Sequence, residues 1–134
     1  MTPDRPEVLF LCVHNAGRSQ MAAALMVRHA GGSVVVRSAG SDPADHLNPV
    51  VIEAMAELGI DITAQSPRRL ADDDARRADT IVTMGCGDSC PVYPGKRYLD
   101  WVLPDPAGKS IEEVRSIRDE IDRLVRGLVD ELVS

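Results

Sequence analysis

Val8-Leu9-Phe10-Leu11-Cys12-Val13-His14-Asn15-Ala16-Gly17-Arg18-Ser19 is an apolar run that ends on a cysteine, passes through small and polar residues, and closes on an arginine and a serine. Residues 7–13 read as a buried strand, and residues 18–30 as a helix whose apolar positions Met21, Leu25 and Met26 recur at helical spacing. A chain that leaves a strand, turns through Gly17 and enters a helix aims backbone N–H groups of Val13, His14, Asn15, Ala16, Gly17 and Arg18 into one concavity, and such a concavity binds an oxyanion. The positive helix end, with Arg18 beside it, favours the thiolate of Cys12, so a nucleophile sits under the anion. The planar fork of Arg18 can hold two of the anion's oxygens, and Ser19 brings a hydroxyl near the sulfur. A cysteine at a strand end is more often a small buried hydrophobe. The company of Gly17, Arg18 and Ser19 decides for the functional reading.

The rest of the chain bounds what that loop can serve. Its 134 residues are enough for one domain, 1–134, with a core that needs no crosslinks. With 44% hydrophobic and 27% charged residues the composition is that of a soluble globule, and disorder is not indicated. Aromatic residues at 3% leave no stacking platform, and a net charge of −6 repels polyanions, so no nucleic acid partner is expected. No apolar run reaches membrane-spanning length, and Met1-Thr2-Pro3-Asp4-Arg5-Pro6 has no signal-peptide character. The expectation is therefore a cytoplasmic protein with no membrane association. In that reducing compartment three cysteines suit catalytic or transient redox use better than structural crosslinks.

Beyond the first helix, which Gly31-Gly32 ends, the pattern alternates. Ser33 to Ser38 reads as a second buried strand closed by Ala39-Gly40. Asn48-Pro49 supplies a cap and a first-turn proline for a helix carrying Val50, Val51, Ala54, Met55 and Leu58, with Gly59 at its stop. Residues 61–71 are irregular, Asp72 to Ala78 is a short helix with acidic start and basic end, and Asp79 to Met84 is the third strand. Gly85 to Pro94 is a loop or broken helix, Arg97-Tyr98-Leu99 a short fourth strand, and Leu103 to Gly108 a loop. Ser110-Ile111-Glu112-Glu113 is a capping box that opens a long helix to about Leu132, with Val114, Ile117, Ile121, Leu124, Val125 and Leu128 as its apolar stripe. Strands alternating with helices predict an α/β fold, a doubly wound four-stranded parallel sheet with helices on both faces. The Cys12 loop then lies at the carboxyl end of the first strand, where such sheets place ligands.

A thiolate that attacks a tetrahedral oxyanion must expel an oxygen, and an acid opposite the nucleophile can protonate it. Asp105, between Pro104 and Pro106, is the candidate, and a bound anion beside it would favour its protonated form. The competing reading is that Asp-Pro only makes a turn. Cys86 and Cys90 follow the third strand on the same rim of the sheet. At i and i+4 of a helical turn they would stand about 6 Å apart, close enough to bridge with modest movement. A zinc site would want four clustered ligands, and His14, His29 and His46 are scattered, so no metal is expected. Trp101 is read as packing the loop before Asp105, Met21, Met26 and Met55 as core, His14 as filling space in the anion loop, and Asp72-Asp73-Asp74 as a solvated helix start.

With these residues in place the chain resembles the arsenate reductases that share the low-molecular-weight protein tyrosine phosphatase fold. The resemblance spans nearly the full length and rests on the loop from Cys12 to Ser19 with Gln20-Met21-Ala22, on Ser38-Ala39-Gly40, on the Cys86 and Cys90 pair, and on Trp101 ahead of Asp105-Pro106-Ala107-Gly108-Lys109. The loop alone is shared with phosphatases; the cysteine pair is not. The resemblance implies that Cys12 attacks arsenic(V), that Arg18 and the loop amides hold arsenate, that Ser19 supports the thiolate, that Asn15 stabilises the loop and that Asp105 protonates departing hydroxide. It further implies a relay in which Cys86 attacks the Cys12 sulfur, arsenite leaves, and Cys90 resolves the Cys12–Cys86 disulfide into Cys86–Cys90 for reduction by thioredoxin. No bound cofactor is implied, only an external thiol reductant. Thioredoxin-coupled relatives space the last two cysteines more widely. They also carry a glutamate that helps bind potassium where this chain has Ala23, so that cation site is not carried over.

Two further enzyme readings stay open. Related reductases let mycothiol attack the arsenic adduct, with a mycoredoxin completing the reduction. A low-molecular-weight protein tyrosine phosphatase would share Asp105-Pro106 but usually follows that pair with aromatics that wall the phosphotyrosine ring, where Ala107-Gly108 stands here. A non-catalytic anion sensor would keep the loop yet need neither the thiolate nor Asp105.

Overall fold

A computed structural model describes residues 5–85 and 94–133. The described residues form four strands, β1 (Glu7–Cys12), β2 (Val35–Gly40), β3 (Thr80–Thr83) and β4 (Arg97–Asp100), and four helices, α1 (Arg18–Ala30), α2 (Pro49–Ala56), α3 (Asp72–Arg77) and α4 (Ile111–Val133), in the order β1-α1-β2-α2-α3-β3-β4-α4. All neighbouring strands pair in parallel in the order β2-β1-β3-β4. The expected α/β architecture is therefore present, with β1 at the centre and its last residue, Cys12, level with Gly40.

Strand alternation sorts β1 between two cores. Val8, Phe10 and Cys12 face the larger one, shared with Met21, Leu25 and Met26 of α1, Val51 and Met55 of α2, and the α4 stripe. Leu9 and Leu11 face the smaller one, with Ala75, Ala78 and Ile81. Helices cover both faces unequally, three on the Cys12 side against the single turn-and-a-half of α3. No helix among the described residues is long and apolar enough to cross a membrane.

Most expected boundaries stand within two residues, and the deviations have local causes. β2 begins at Val35 and runs on through Ala39-Gly40 instead of stopping at Ser38. Residue 40 stays in the ladder because a Cβ there would lie 2.6 Å from the Val13 carbonyl oxygen, so only glycine fits. Trp101 does not merely pad its loop: its ring meets Phe10 with centroids 5.7 Å apart, which seats the chain after β4 on the central strand. The acidic run at α3 is not wholly solvated. Asp74 is buried, accepts from Arg68 Nη2 on both carboxylate oxygens at 2.8 Å, and caps α3 through the Ala71 N–H.

At the far end of α2, the Glu57 carboxylate accepts hydrogen bonds from Arg115 and Arg118, joining α2 to α4. These bonds, Arg115's first, hold its pKa down to about 2 from an ordinary 4.5. A depressed carboxyl pKa gives stability that is present above the ordinary range and lost as pH falls through the folded value. The melting-temperature deficit of Glu57→Gln relative to the parent protein should be constant above pH 5, shrink between about 4.5 and 2, and vanish below. A deficit independent of pH contradicts this role.

Candidate active site

The loop after β1 is built by turning its carbonyls outward. Ser41, Asp42 and Ala44 donate backbone N–H groups to the oxygens of Cys12, Val13 and His14, Asn48 donates to Ala16, and Met21 to Gly17. The Asn15 oxygen takes its donor from the Gln20 side chain at 3.1 Å. With six consecutive oxygens facing the surrounding chain, the N–H groups are left for the concave side. Among the described residues those of His14, Ala16 and Gly17 donate to no protein acceptor. The backbone of Arg18 then starts α1 with no side-chain cap, which adds the positive helix end to the same hollow.

Asn15 is the hub. It holds φ +50, a left-handed conformation found at no other non-glycine among the described residues, and one that costs an L-residue roughly 1–2 kcal/mol. Five hydrogen bonds offset that strain at about 0.5–1.5 kcal/mol each. Its N–H points at the Cys12 sulfur at 3.3 Å, its Nδ2 donates to Ser19 Oγ at 2.7 Å, and its backbone and side-chain oxygens accept from Gln20 and from the Arg68 N–H. Ser19 Oγ lies 2.9 Å from Cys12 Sγ. Because that oxygen already accepts from Asn15, its own proton is free to point at the sulfur, which suits a thiolate. Cys12 is buried at 3% exposure, so donors aimed at the sulfur are what keep a charge tolerable there.

A second half of the site converges from α1 and the chain beyond β4. The buried Arg18 guanidinium donates Nη1 to the Leu103 carbonyl at 3.0 Å, and its Nη2 lies 3.9 Å from Asp105 Oδ2. Asp105 is half-exposed, and its other oxygen accepts the Ala107 N–H at 3.0 Å, which fixes the turn. Pro106 packs on Gly17 so closely that a Cβ on Gly17 would come within 2.6 Å of its ring. The acid-bearing loop and the anion loop are therefore held in register by a missing side chain.

The structure thus brings together Cys12, Asn15, Ser19, Arg18 and Asp105. It does not keep His14 inside the loop: the residue is exposed and its Nδ1 faces the Asp42 carbonyl at 3.1 Å, on the outer side. Cys86 and Cys90 lie outside the described residues. Three contributors escaped the sequence reading. Gln20 and Arg68 act on Asn15 from behind: Gln20 stands in the stretch that carries the resemblance, with no role given to it there, and Arg68 has no sequence signature beyond being polar. Gly85 does have one, its place two residues beyond the end of β3. It holds φ +86, and a Cβ there would lie 2.2 Å from Arg18 Nη1.

Comparison with known proteins places this geometry. The description "Low molecular weight phosphotyrosine protein phosphatase" matches residues 7–134. The chain belongs to the low molecular weight phosphotyrosine protein phosphatase family. Within that family it is 39% identical over 127 residues to a putative arsenate reductase of Halobacterium salinarum, covering 91% of this chain and 89% of that one. A solved thioredoxin-dependent arsenate reductase of Corynebacterium glutamicum superposes with a TM-score of 0.86 at 48% identity over 98% of this chain. This chain spans 64% of the length of that one. An arsenate reductase solved in its phosphate-binding state gives 0.85 at 30% identity, over 95% and 98% of the two chains.

In this member of the family, Gly85 is the position where the guanidinium leaves no room for a side chain. Gly85→Ala should weaken inorganic phosphate binding at least tenfold, about 1.4 kcal/mol, by titration calorimetry. Unchanged affinity would show that Arg18 does not need its present seat.

Proposed function

We propose that the protein is an arsenate reductase with Cys12 as nucleophile. The observation that carries the reading is the Cys12 sulfur at the foot of an inward-facing amide loop, with the Asn15 N–H directed at it and Ser19 Oγ 2.9 Å away. Relatives named as arsenate reductases supply the identity of the oxyanion.

In the first step the thiolate of Cys12 attacks arsenic(V). The As–S bond forms, an As–O bond breaks, and hydroxide leaves as water with the proton of Asp105. The loop amides from Val13 to Arg18 and the Arg18 guanidinium hold the remaining oxygens, so charge developing on the anion meets fixed donors. In the second step Cys86 attacks the Cys12 sulfur: a disulfide forms, the As–S bond breaks, and its electron pair passes to arsenic, which leaves as arsenite. Two thiols have lost two electrons and arsenic has gained them. Cys90 then displaces Cys12 from Cys86, and an external dithiol reduces the Cys86–Cys90 bond. Support for Cys86 as the attacking thiol comes from its neighbour. Gly85 lies against the Arg18 guanidinium, and Cys86 is the next residue.

Thioredoxin is the reductant favoured here, on the likeness to the Corynebacterium glutamicum enzyme. Mycothiol with a mycoredoxin would instead intercept the arsenic adduct and make Cys86 and Cys90 dispensable. The cytoplasm, where thiols are kept reduced, is the compartment such a cycle requires. A phosphatase could use the same Cys12, Arg18 and Asp105. Ala107 and Gly108 after Pro106 are both exposed and offer no wall for an aryl ring.

Cys12→Ser should abolish arsenite release, and Asp105→Asn should slow it by about 10²–10⁴-fold. With thioredoxin, Cys86→Ser and Cys90→Ser should each stop after at most one turnover, with mass spectrometry showing which sulfurs are joined. Sustained turnover of both variants with thioredoxin contradicts the relay. Restoration by mycothiol alone moves the assignment to the thiol-transferase route, and faster turnover of an aryl phosphate than of arsenate moves it to the phosphatase.

A further inference from the structure

The last donor on the Cys12 sulfur is only as well aimed as the amide of Asn15 behind it. If that amide turned over, its oxygen would face Ser19 Oγ, and the serine proton would go to Asn15 instead of the sulfur. Two donors hold the amide the right way round: Gln20 Nε2 at 3.1 Å and the Arg68 backbone N–H at 3.0 Å, both on Oδ1. Arg68 stands on the connection between α2 and α3, which has little regular structure of its own, so something must fix it. Its Nη1 donates to the Ser38 carbonyl at 2.7 Å, and its Nη2 donates to both oxygens of the buried Asp74 carboxylate at 2.8 Å. Its carbonyl accepts the Gly40 N–H at 2.9 Å, and Leu70 returns a bond to the Gly40 oxygen at 3.0 Å. The side chain of Arg68 thus pins its own main chain against the end of β2, where that main chain meets Asn15.

We propose that Arg68, clamped by Asp74, is a positioning residue for Cys12, acting through Asn15 and Ser19 to direct the serine proton onto the sulfur. This rests on the reading of Cys12 as the nucleophile and deepens it. Arg68 is remote from the anion: it also lines a cavity of about 480 Å³ behind the loop, together with Gln20, Ala23, Arg37, Ser38 and Asp61. Its removal should therefore act on the sulfur more than on anion capture. The charged and titratable groups of the catalytic side are His14 in the loop, Arg18 at the start of α1 and Asp105 beyond β4. On the rear side they are Arg37 on β2, Asp61 and Arg69 on the α2–α3 connection, and Asp74 on α3. All of them are unchanged in the arginine variants, and Asp74→Asn alters Asp74 alone among them.

The test uses the full chain with Cys86→Ser and Cys90→Ser, so that Cys12 alone is alkylated, and follows iodoacetamide reaction against pH. Arg68→Ala and Asp74→Asn should each move the midpoint of alkylation up by about one pH unit, a tenfold loss of thiolate below both midpoints. The two together should do no more than either alone. Arg68→Lys should recover part of the shift, and inorganic phosphate affinity should change less than threefold in every variant. In the enzyme with all three cysteines, kcat should fall while KM for arsenate holds. A folded Arg68→Ala, by its melting curve, with the parent's midpoint overturns the proposal. Should Arg68→Ala not fold, Asp74→Asn and Arg68→Lys decide it: a midpoint equal to the parent's in both overturns it equally. A parent midpoint near that of a free thiol, about 8.5, would instead sink the nucleophile assignment, and this inference with it.

Discussion

A negative sulfur in a buried position would need hydrogen-bond donors in place of the water it has lost, and in this chain the groups that face the Cys12 sulfur are arranged by one asparagine. Asn15 accepts a left-handed backbone so that its N–H can turn toward Cys12, and its side chain sets the direction of the Ser19 hydroxyl. An unsatisfied buried polar group costs about 1–3 kcal/mol. The loop contains many, so each outward carbonyl must find its donor if the inward amides are to stay free for an anion. The segment from Ser41 to Asn48 provides most of those donors, and Asn48 does so while also capping α2 through the Val50 N–H at 3.0 Å. Loop geometry and helix initiation are thus one set of bonds.

The sheet supplies the other half of the constraint. Cys12 is the last residue of an inner strand, facing the larger core, so its backbone is fixed by pairing with Gly40 on β2 while its sulfur reaches the rim. Three glycines then allow elements to approach that a side chain would hold apart: Gly40 under the Val13 carbonyl, Gly17 under Pro106, and Gly85 against Arg18. Each contact joins a different connection to the loop. Strand placement gives the site its position, and the missing side chains give it closure.

Much of this was legible in the sequence because it follows from periodicity and punctuation. The apolar run into Cys12, the Asn48-Pro49 start and the Ser110 capping box each carry a local physical signal, and the structure forms all three, the last with Glu113 N donating to Ser110 Oγ at 3.3 Å. The grouping of Cys12, Ser19, Arg18 and Asp105 was legible because parallel sheets bring strand ends to one rim. What was not legible depends on contacts distant in sequence. Arg68 reaches Asn15 across 53 positions. Asp74 looks like one of three solvated carboxylates until the Arg68 guanidinium is found on it. The exposure of His14 follows from where the Asp42 carbonyl happens to lie, which no local pattern encodes.

The central claim is that the loop is an oxyanion seat with the side chain of residue 12 beneath its centre. A crystal structure of the Cys12→Ser protein grown with millimolar arsenate addresses this directly. The account predicts a tetrahedral anion above Ser Oγ, with its oxygens on the backbone N–H groups of residues 14 to 18 and the Arg18 guanidinium turned from the Leu103 carbonyl onto two of them. An empty loop at that concentration, or arsenate bound elsewhere with Arg18 still on Leu103, would contradict it.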